Sequence, residues 1–171
     1  MDQAQAQFLA KYLCKLWEGE FPATVKVIAA VPDDKHSYRP DEKSRTAWEL
    51  ATHLATADVW FADSVVSGSF VFDPVVAKQR ASLFGSIADV VAYYKKEFPA
   101  ALDRIRAMPA DKLAATVDFF GMMQMPNVTY LGFANNHSMH HRGQLCAYLR
   151  AMGSKVPAIY GASADEPMVR A

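Results

Sequence analysis

Apolar residues recur at three- and four-residue steps in four long stretches of this chain, which is the spacing of helices that bury one face. The first stretch runs from about Gln5 to Ala30, and the second from near Ser44 to just before Gly68. The third spans about Ser86 to Met108, and the fourth opens near Asn127 and ends before Gly153. The pattern predicts an all-α protein built on four long helices.

Each stretch also predicts which side chains face the core. In the first three helices these are Leu9, Leu13, Leu16, Trp17, Phe21, Val25 and Ile28, then Leu50, Leu54, Ala57, Phe61 and Val65, then Ile87, Val90, Val91, Tyr94, Phe98, Leu102 and Ile105. The fourth carries Tyr130, Phe133, His137, His141, Gln144 and Tyr148 on its inner stripe. Gly19 and Pro22 are expected to bend the first helix, and Pro99 to kink the third.

The links between the helices carry topological information, because antiparallel neighbours need only short loops. Residues 69–85 are enough to cross the bundle and set the second and third helices parallel. Residues 109–126 contain a β-favouring run at 116–120 that predicts a short extended segment, too little for a sheet. The apolar residues of the tail, 154–171, predict that it packs back on the bundle.

Composition narrows the class of protein. The 171 residues, 51% of them hydrophobic, suit one domain over residues 1–171 with its own core. A formal net charge of zero without a basic run gives no reason to expect a nucleic-acid partner. No apolar stretch approaches a membrane span and no secretory signal is present, so we expect a cytoplasmic protein with no membrane partner. Cys14 and Cys146 are expected to be reduced thiols.

Histidines supply the candidate chemistry. His137 and His141 are one helical turn apart, so both imidazoles project from one face and can bind one divalent ion. A third donor must come from another helix, and His53 is the plausible imidazole. His140 is expected on the flank of its helix, and His36, in a polar loop, at the solvated surface.

Four motifs carry a resemblance to a known family. They are Tyr38-Arg39-Pro40, the run from Glu49 to His53, the run from His137 to Gln144, and the run from Val156 to Gly161. With these the chain resembles the DinB/YfiT-like family of four-helix metalloenzymes. The resemblance implies an up-down-down-up four-helix bundle, a metal held by His53, His137 and His141, and a homodimer.

Three neutral imidazoles leave the ion's double charge uncompensated and a coordination position open, as in catalytic rather than structural zinc sites. The donor set suits zinc, nickel or iron. The expected function is a metal-dependent enzyme acting on a small molecule. The resemblance adds a thiol S-transferase, because some relatives are mycothiol-dependent maleylpyruvate isomerases or bacillithiol S-transferases. The alternatives are a metal-dependent hydrolase and a non-catalytic stress-response bundle that binds a metal or small ligand.

Three further residues have open roles. Glu49, one turn before His53, is expected to orient a ligand, act as a base or simply be solvated. Gln144 is placed to support a histidine ligand from the second shell. Arg142 points away from the inner stripe, which favours an inter-helix salt bridge or a subunit contact.

Overall fold

The computed structural model describes residues 1–167, apart from the side chains of residues 77, 78, 80 and 81. Four long helices dominate it. They are α1 (Gln3–Ala29), α2 (Ala47–Ser67), α4 (Ile87–Arg106) and α6 (Tyr130–Ala151). Between them lie the shorter helices α3 (Pro74–Ala81) and α5 (Ala110–Ala114) and the strands β1 (Thr116–Phe119) and β2 (Met123–Pro126). The all-α prediction is confirmed, and α1 and α4 each continue through their internal proline.

Side-chain contacts fix the direction of each helix. Asp58 meets Tyr94 and Asp63 meets Arg104, so α2 and α4 run parallel, as the long link between them predicts. The remaining pairs show α1 antiparallel to α4, α6 antiparallel to α2, and α6 parallel to α1. Those contacts are Trp17 with Phe98 and Phe21 with Tyr94, Phe61 with Phe133 and Asp58 with Ser138, and Leu13 with Gly132 and Glu20 with Arg142. The order is therefore up, down, down, up.

The second helix begins later than the apolar pattern suggested. Thr46 caps α2, with its hydroxyl accepting from the Glu49 N–H at 3.1 Å and the Glu49 carboxylate accepting from the Thr46 N–H at 2.8 Å. This reciprocal capping box satisfies two backbone donors and starts the helix at Ala47 rather than near Ser44. Periodicity alone locates a helix but not its cap.

The core face of α1 also differs from the prediction at one position. Leu16 is 43% exposed, whereas Ala6, Ala10 and Cys14 are buried. These small side chains allow neighbouring helices to approach closely, so the stripe of large apolar residues was a poor guide to the buried face here. The apolar positions predicted for α2 are all buried, as are those of α4 apart from the half-buried Val91.

The link before α6 folds as a hairpin. Strands β1 and β2 pair antiparallel from Thr116 opposite Pro126 to Phe119 opposite Met123, so the expectation that this link could not support a sheet is wrong. The Tyr130 hydroxyl donates to backbone carbonyls of both halves, at 2.9 Å and 3.2 Å. This hydrogen bonding links the hairpin to the start of α6.

The described part of the tail packs on the bundle, as predicted. Val156 and Ile159 contact the core, and Pro157 is buried. The Ser154 hydroxyl donates to the Ala30 carbonyl at 2.7 Å, and Asp165 pairs with Arg150. The tail therefore covers the end of the bundle where α1 ends.

An exposed apolar stripe on α1 bears on the predicted homodimer. Phe8, Tyr12 and Leu16 lie at four-residue steps on α1 and are 68%, 51% and 43% exposed. Such an apolar stripe is compatible with the homodimer, which stays a prediction. Among the described residues, no helix combines the length and apolar character needed to span a bilayer.

Candidate metal centre

The three predicted histidines meet between α2 and α6. The ring centroids of His53 and His141 are 4.7 Å apart, those of His53 and His137 are 5.1 Å apart, and those of His137 and His141 are 4.4 Å apart. One nitrogen from each ring can be chosen so that all three lie within 4.8 Å of one another. The antiparallel packing of α2 on α6 thus brings together residues 84 positions apart in the chain.

These spacings suit a divalent ion. Nitrogens bound to one tetrahedral zinc at about 2.0–2.1 Å lie roughly 3.3–3.4 Å from each other. The Nε2 atoms of His53 and His137 are 3.3 Å apart. The residues present therefore fit a metal without rearrangement of this pair.

Gln144 supports one member of the group. Its Oε1 atom lies 2.8 Å from Nδ1 of His141, so the imidazole donates from Nδ1 and keeps Nε2 free to ligate. This hydrogen bond orients the His141 ring, which is the role that the sequence predicts for Gln144 beside a metal-binding histidine. Gln144 itself is exposed rather than on the inner stripe, because it reaches back to His141 from the outer side of α6. His137 lacks such support, since its buried Nδ1 has no hydrogen-bond partner among the described residues.

Burial keeps the three imidazoles neutral. Desolvation lowers the pKa of His53 to about 3 and of His137 to about 4, with smaller contributions from the positive charge of Arg45 and from the neighbouring histidines. Desolvation also lowers the pKa of His141, against the raising effect of its bond to Gln144. Because a ligating imidazole must be unprotonated, the group is ready to bind a cation at neutral pH.

The other candidate residues lie outside the group. His140 is exposed, as predicted. His36 is half-buried, packs on Trp48 with ring centroids 4.5 Å apart and bonds to Asp33. It therefore lies outside the group of three histidines and is less solvated than expected. Glu49 is exposed, and its carboxylate caps α2, which the sequence analysis missed although Thr46-x-x-Glu49 is a capping-box pattern.

A cavity opens beside the histidines. It has a volume of about 430 Å³, within the range of small-molecule sites, and His53 and His137 form part of its wall. Trp60 and Phe61 of α2 supply an aromatic side, and Phe72 closes it from the crossover between α2 and α3. His53 and His137 therefore face an accessible cavity instead of being sealed by packing.

Asp58 is a site residue that the sequence analysis missed. Its carboxylate is fully buried and accepts hydrogen bonds from the hydroxyls of Tyr94, at 2.7 Å, and Ser138, at 2.8 Å. Desolvation raises the pKa of Asp58 from 3.8 to about 7, although both hydrogen bonds lower it. Ser138 follows His137 directly, so Asp58 helps to hold the segment of α6 that carries two of the three histidines.

The raised pKa of Asp58 predicts a pH-dependent stability. Between about pH 4 and pH 7 the folded state keeps this proton while the unfolded chain loses it, so the free energy of unfolding falls as pH rises. The slope from this one group is at most about 1.4 kcal/mol per pH unit. The lowered histidine pKa values act in the opposite direction, since the unfolded chain then binds more protons.

Comparison with Asp58→Asn separates the two effects. Urea unfolding of both metal-free proteins between pH 4.5 and pH 7.5 should show the wild type losing stability relative to the variant as pH rises. The histidine contribution is common to both proteins and cancels in the difference. Parallel pH profiles would show that Asp58 titrates normally.

Sequence comparison identifies a family and two relatives that this chain resembles. The family model described as DinB family matches residues 3–168. The chain is 25% identical to YrdA of Bacillus subtilis (strain 168) over 156 residues, covering 91% of this chain and 90% of that protein. It is 28% identical to YjoA of the same organism over 131 residues, covering 76% of this chain and 82% of that protein.

Solved structures show the same fold. A crystal structure of a DinB-like protein from Bacillus cereus ATCC 10987 matches with a TM-score of 0.71 and 26% identity, covering 86% of this chain and 95% of that one. The crystal structure of the DinB-like protein YjoA of Bacillus subtilis matches with a TM-score of 0.66 and 23% identity, covering 86% and 96%. Since the family model spans nearly the whole chain, the protein belongs to the DinB family.

Proposed function

We propose that the protein is a divalent-metal-dependent enzyme that acts on a small molecule in the cavity beside His53. The observation that carries the proposal is the group of three neutral imidazoles, two of which, those of His53 and His137, line a cavity of about 430 Å³. Three protein ligands with accessible space beside them are typical of catalytic sites, whereas structural sites close all four positions with protein atoms. Zinc, nickel and iron all suit this donor set.

Thiol S-transfer is the reaction that we favour, with hydrolysis second. A divalent ion bound here would supply Lewis acidity, which lowers the pKa of a bound thiol or water toward neutrality. The protein contributes positioning: Gln144 holds the His141 ring, and Asp58 holds the backbone segment around His137 through Ser138. The aromatic wall formed by Trp60 and Phe61 excludes water from one side of the cavity.

Glu49 is a weak candidate for a general base. Its carboxylate lines the cavity, but the backbone N–H of Thr46 already donates to it. That hydrogen bond is the largest cause of the lowered pKa of Glu49. A carboxylate with a lowered pKa is a poor proton acceptor near neutral pH, so the proposal assigns Glu49 to capping and to the cavity rim.

A non-catalytic bundle that binds a metal or small ligand is the alternative from a different class. The accessible cavity beside His53 favours the enzyme, because a stabilising ion needs no adjoining cavity. Of the other described histidines, His36 and His140 lie outside the ligand group, so neither closes the fourth position.

Activity assays with and without metal test the proposal. Protein loaded with zinc, nickel or iron would be incubated with bacillithiol, mycothiol or glutathione and an electrophile such as maleylpyruvate or monochlorobimane. We expect turnover with at least one thiol, loss of turnover on chelation, and recovery when metal is restored. His141→Ala should be inactive, and His140→Ala, altered at an exposed neighbour, should retain activity.

Two outcomes would redirect the proposal. Turnover that persists after complete metal removal would contradict a metal-dependent mechanism. Metal-dependent cleavage of activated esters, with all three thiols inactive, would replace thiol transfer by hydrolysis.

A further inference from the structure

Arg45 differs from the other arginines that the structure describes. Its guanidinium has no hydrogen bond or ion pair with any described residue, although it lines the cavity beside His53. Each of the others is engaged with a carboxylate or a carbonyl: Arg39, Arg104, Arg106, Arg142 and Arg150. A guanidinium with five free donors beside a cavity is a ready-made partner for an anion.

The backbone at Arg45 is held in place. Its carbonyl accepts a hydrogen bond at 3.2 Å from the hydroxyl of Tyr148 on α6, and the next residue, Thr46, is the cap of α2. Arg45 lines the same cavity as His53 and His137.

The acidic residues on the cavity wall do not neutralise this charge by contact. The Glu49 carboxylate is occupied by the Thr46 N–H, and Asp73 accepts from the N–H groups of Val75 and Val76 at 2.8 Å and 3.2 Å. Both carboxylates thus cap helix N-termini. These bonds matter for selectivity: the N–H groups of residues 46–49 at the start of α2 are all engaged, and Asp73 holds those of Val75 and Val76 at α3, so these amides are not offered to a phosphate.

Apart from the two histidines and from Thr52 and Thr56, whose hydroxyls donate to backbone carbonyls of α2, the rest of the cavity wall is apolar. Trp60 lies beside Phe61 and Phe72, with ring centroids 4.8 Å and 6.3 Å apart, and its indole N–H donates to the Val71 carbonyl at 3.0 Å. The indole nitrogen is therefore satisfied, and its rings offer an apolar surface. One end of the cavity can hold an anion and its side an apolar or aromatic group.

We propose that the cavity selects small carboxylic acids with an apolar or aromatic body. The carboxylate pairs with Arg45, the body packs against Trp60 and Phe72, and the remaining functional group lies toward His53 and His137. A single guanidinium matches the two oxygens of a carboxylate. The inference rests on the proposed function for the role of the histidines. The acid preference itself depends on Arg45 and the apolar wall, with the Glu49 and Asp73 carboxylates held by their helix caps.

Matched ligands test this selectivity. Calorimetric titrations would use 3-phenylpropionate, its neutral amide 3-phenylpropanamide, and acetate, first with zinc-loaded protein and again after chelation. In the chelated protein we expect the acid to bind roughly tenfold more tightly than the amide, the scale of one hydrogen-bonded charge pair. Acetate, which lacks the apolar body, should bind more weakly than 3-phenylpropionate.

Two arginine variants localise the effect. Arg45→Gln should bring the affinity for the acid down to that for the amide and leave the amide unchanged. Arg39→Gln removes the same charge from the same loop, at a side chain bonded to the Glu42 carbonyl, and should retain the preference. Circular dichroism and melting temperature would check that both variants remain folded.

The results separate this inference from the proposed function. Equal binding of acid and amide, or equal losses in both arginine variants, would overturn the selectivity while leaving metal-dependent turnover intact. Conversely, an Arg45-dependent preference in the chelated protein would support the selectivity even if no metal-dependent activity were found.

Discussion

Alanine at His137 or His141 is expected to reduce metal affinity by more than about 100-fold. Loss of a residue that only supports a ligand typically costs roughly 10–100-fold in metal affinity, and loss of the ligand itself costs more. The same loss is expected for His53→Ala, since the three rings form one group. Gln144→Ala should show a smaller loss of roughly tenfold, through a less well-oriented His141 ring. Metal content after dialysis against a buffered metal solution measures all four variants on one scale.

His140→Ala is the matched control for this series. It removes an exposed imidazole one residue before His141 and should keep the metal content of the wild type. Metal should also raise the unfolding free energy of wild type and control by about 2.7 kcal/mol at a free concentration 100 times the dissociation constant. Unchanged metal content in the His137 and His141 variants would refute the ligand assignment.

Arg142→Met is expected to cost about 3 kcal/mol of stability, the lower end of the range for breaking a buried ion pair. The Arg142 side chain is 2% exposed and binds the Glu20 carboxylate, the Thr24 hydroxyl and the Tyr160 hydroxyl. Its removal leaves the partly buried Glu20 without its cation and takes away one of the contacts between the tail and the bundle, while the Tyr160 hydroxyl still donates to Glu20. Urea unfolding at pH 7 measures the loss.

Arg150→Met is the control on the same helix. Arg150 is about half exposed in its pair with Asp165, so its loss should cost less than about 1 kcal/mol of stability.

Removal of residues 154–171 deletes Tyr160 and should also destabilise the bundle. The Arg142→Met/Glu20→Gln double variant should lose less than the sum of the single variants, because the two groups interact directly. Strict additivity would contradict a coupled pair.

The histidine site illustrates what the sequence could predict. The four-residue step from His137 to His141 fixes their shared face by helix geometry alone. Helix geometry could not show that His53 lies beside this pair, because His53 is on another helix. The motif resemblance implied it, and the packing of α2 against α6 confirms that His53 is a spatial neighbour of His141. Arg142 was expected to point away from the inner stripe and to make an inter-helix salt bridge or a subunit contact. It makes the salt bridge, with Glu20, but its side chain is buried rather than facing outward.

Other features depended on tertiary packing and were missed. Asp58 lies at a buried position of α2 where an aspartate is unexpected, and its partners Tyr94 and Ser138 come from two other helices. Leu16 looked like a core residue because spacing cannot tell which of two overlapping apolar faces is covered. The cavity beside His53 needs the crossover as its second wall, which local patterns do not place.

A crystal structure of the zinc-loaded protein, with anomalous data at the zinc edge, tests the central claim most directly. It should show one zinc per chain, bound at about 2.0–2.1 Å by nitrogens of His53, His137 and His141, with the remaining position open to the cavity. A zinc bound elsewhere, or closed at that position by a fourth protein atom, would contradict the account.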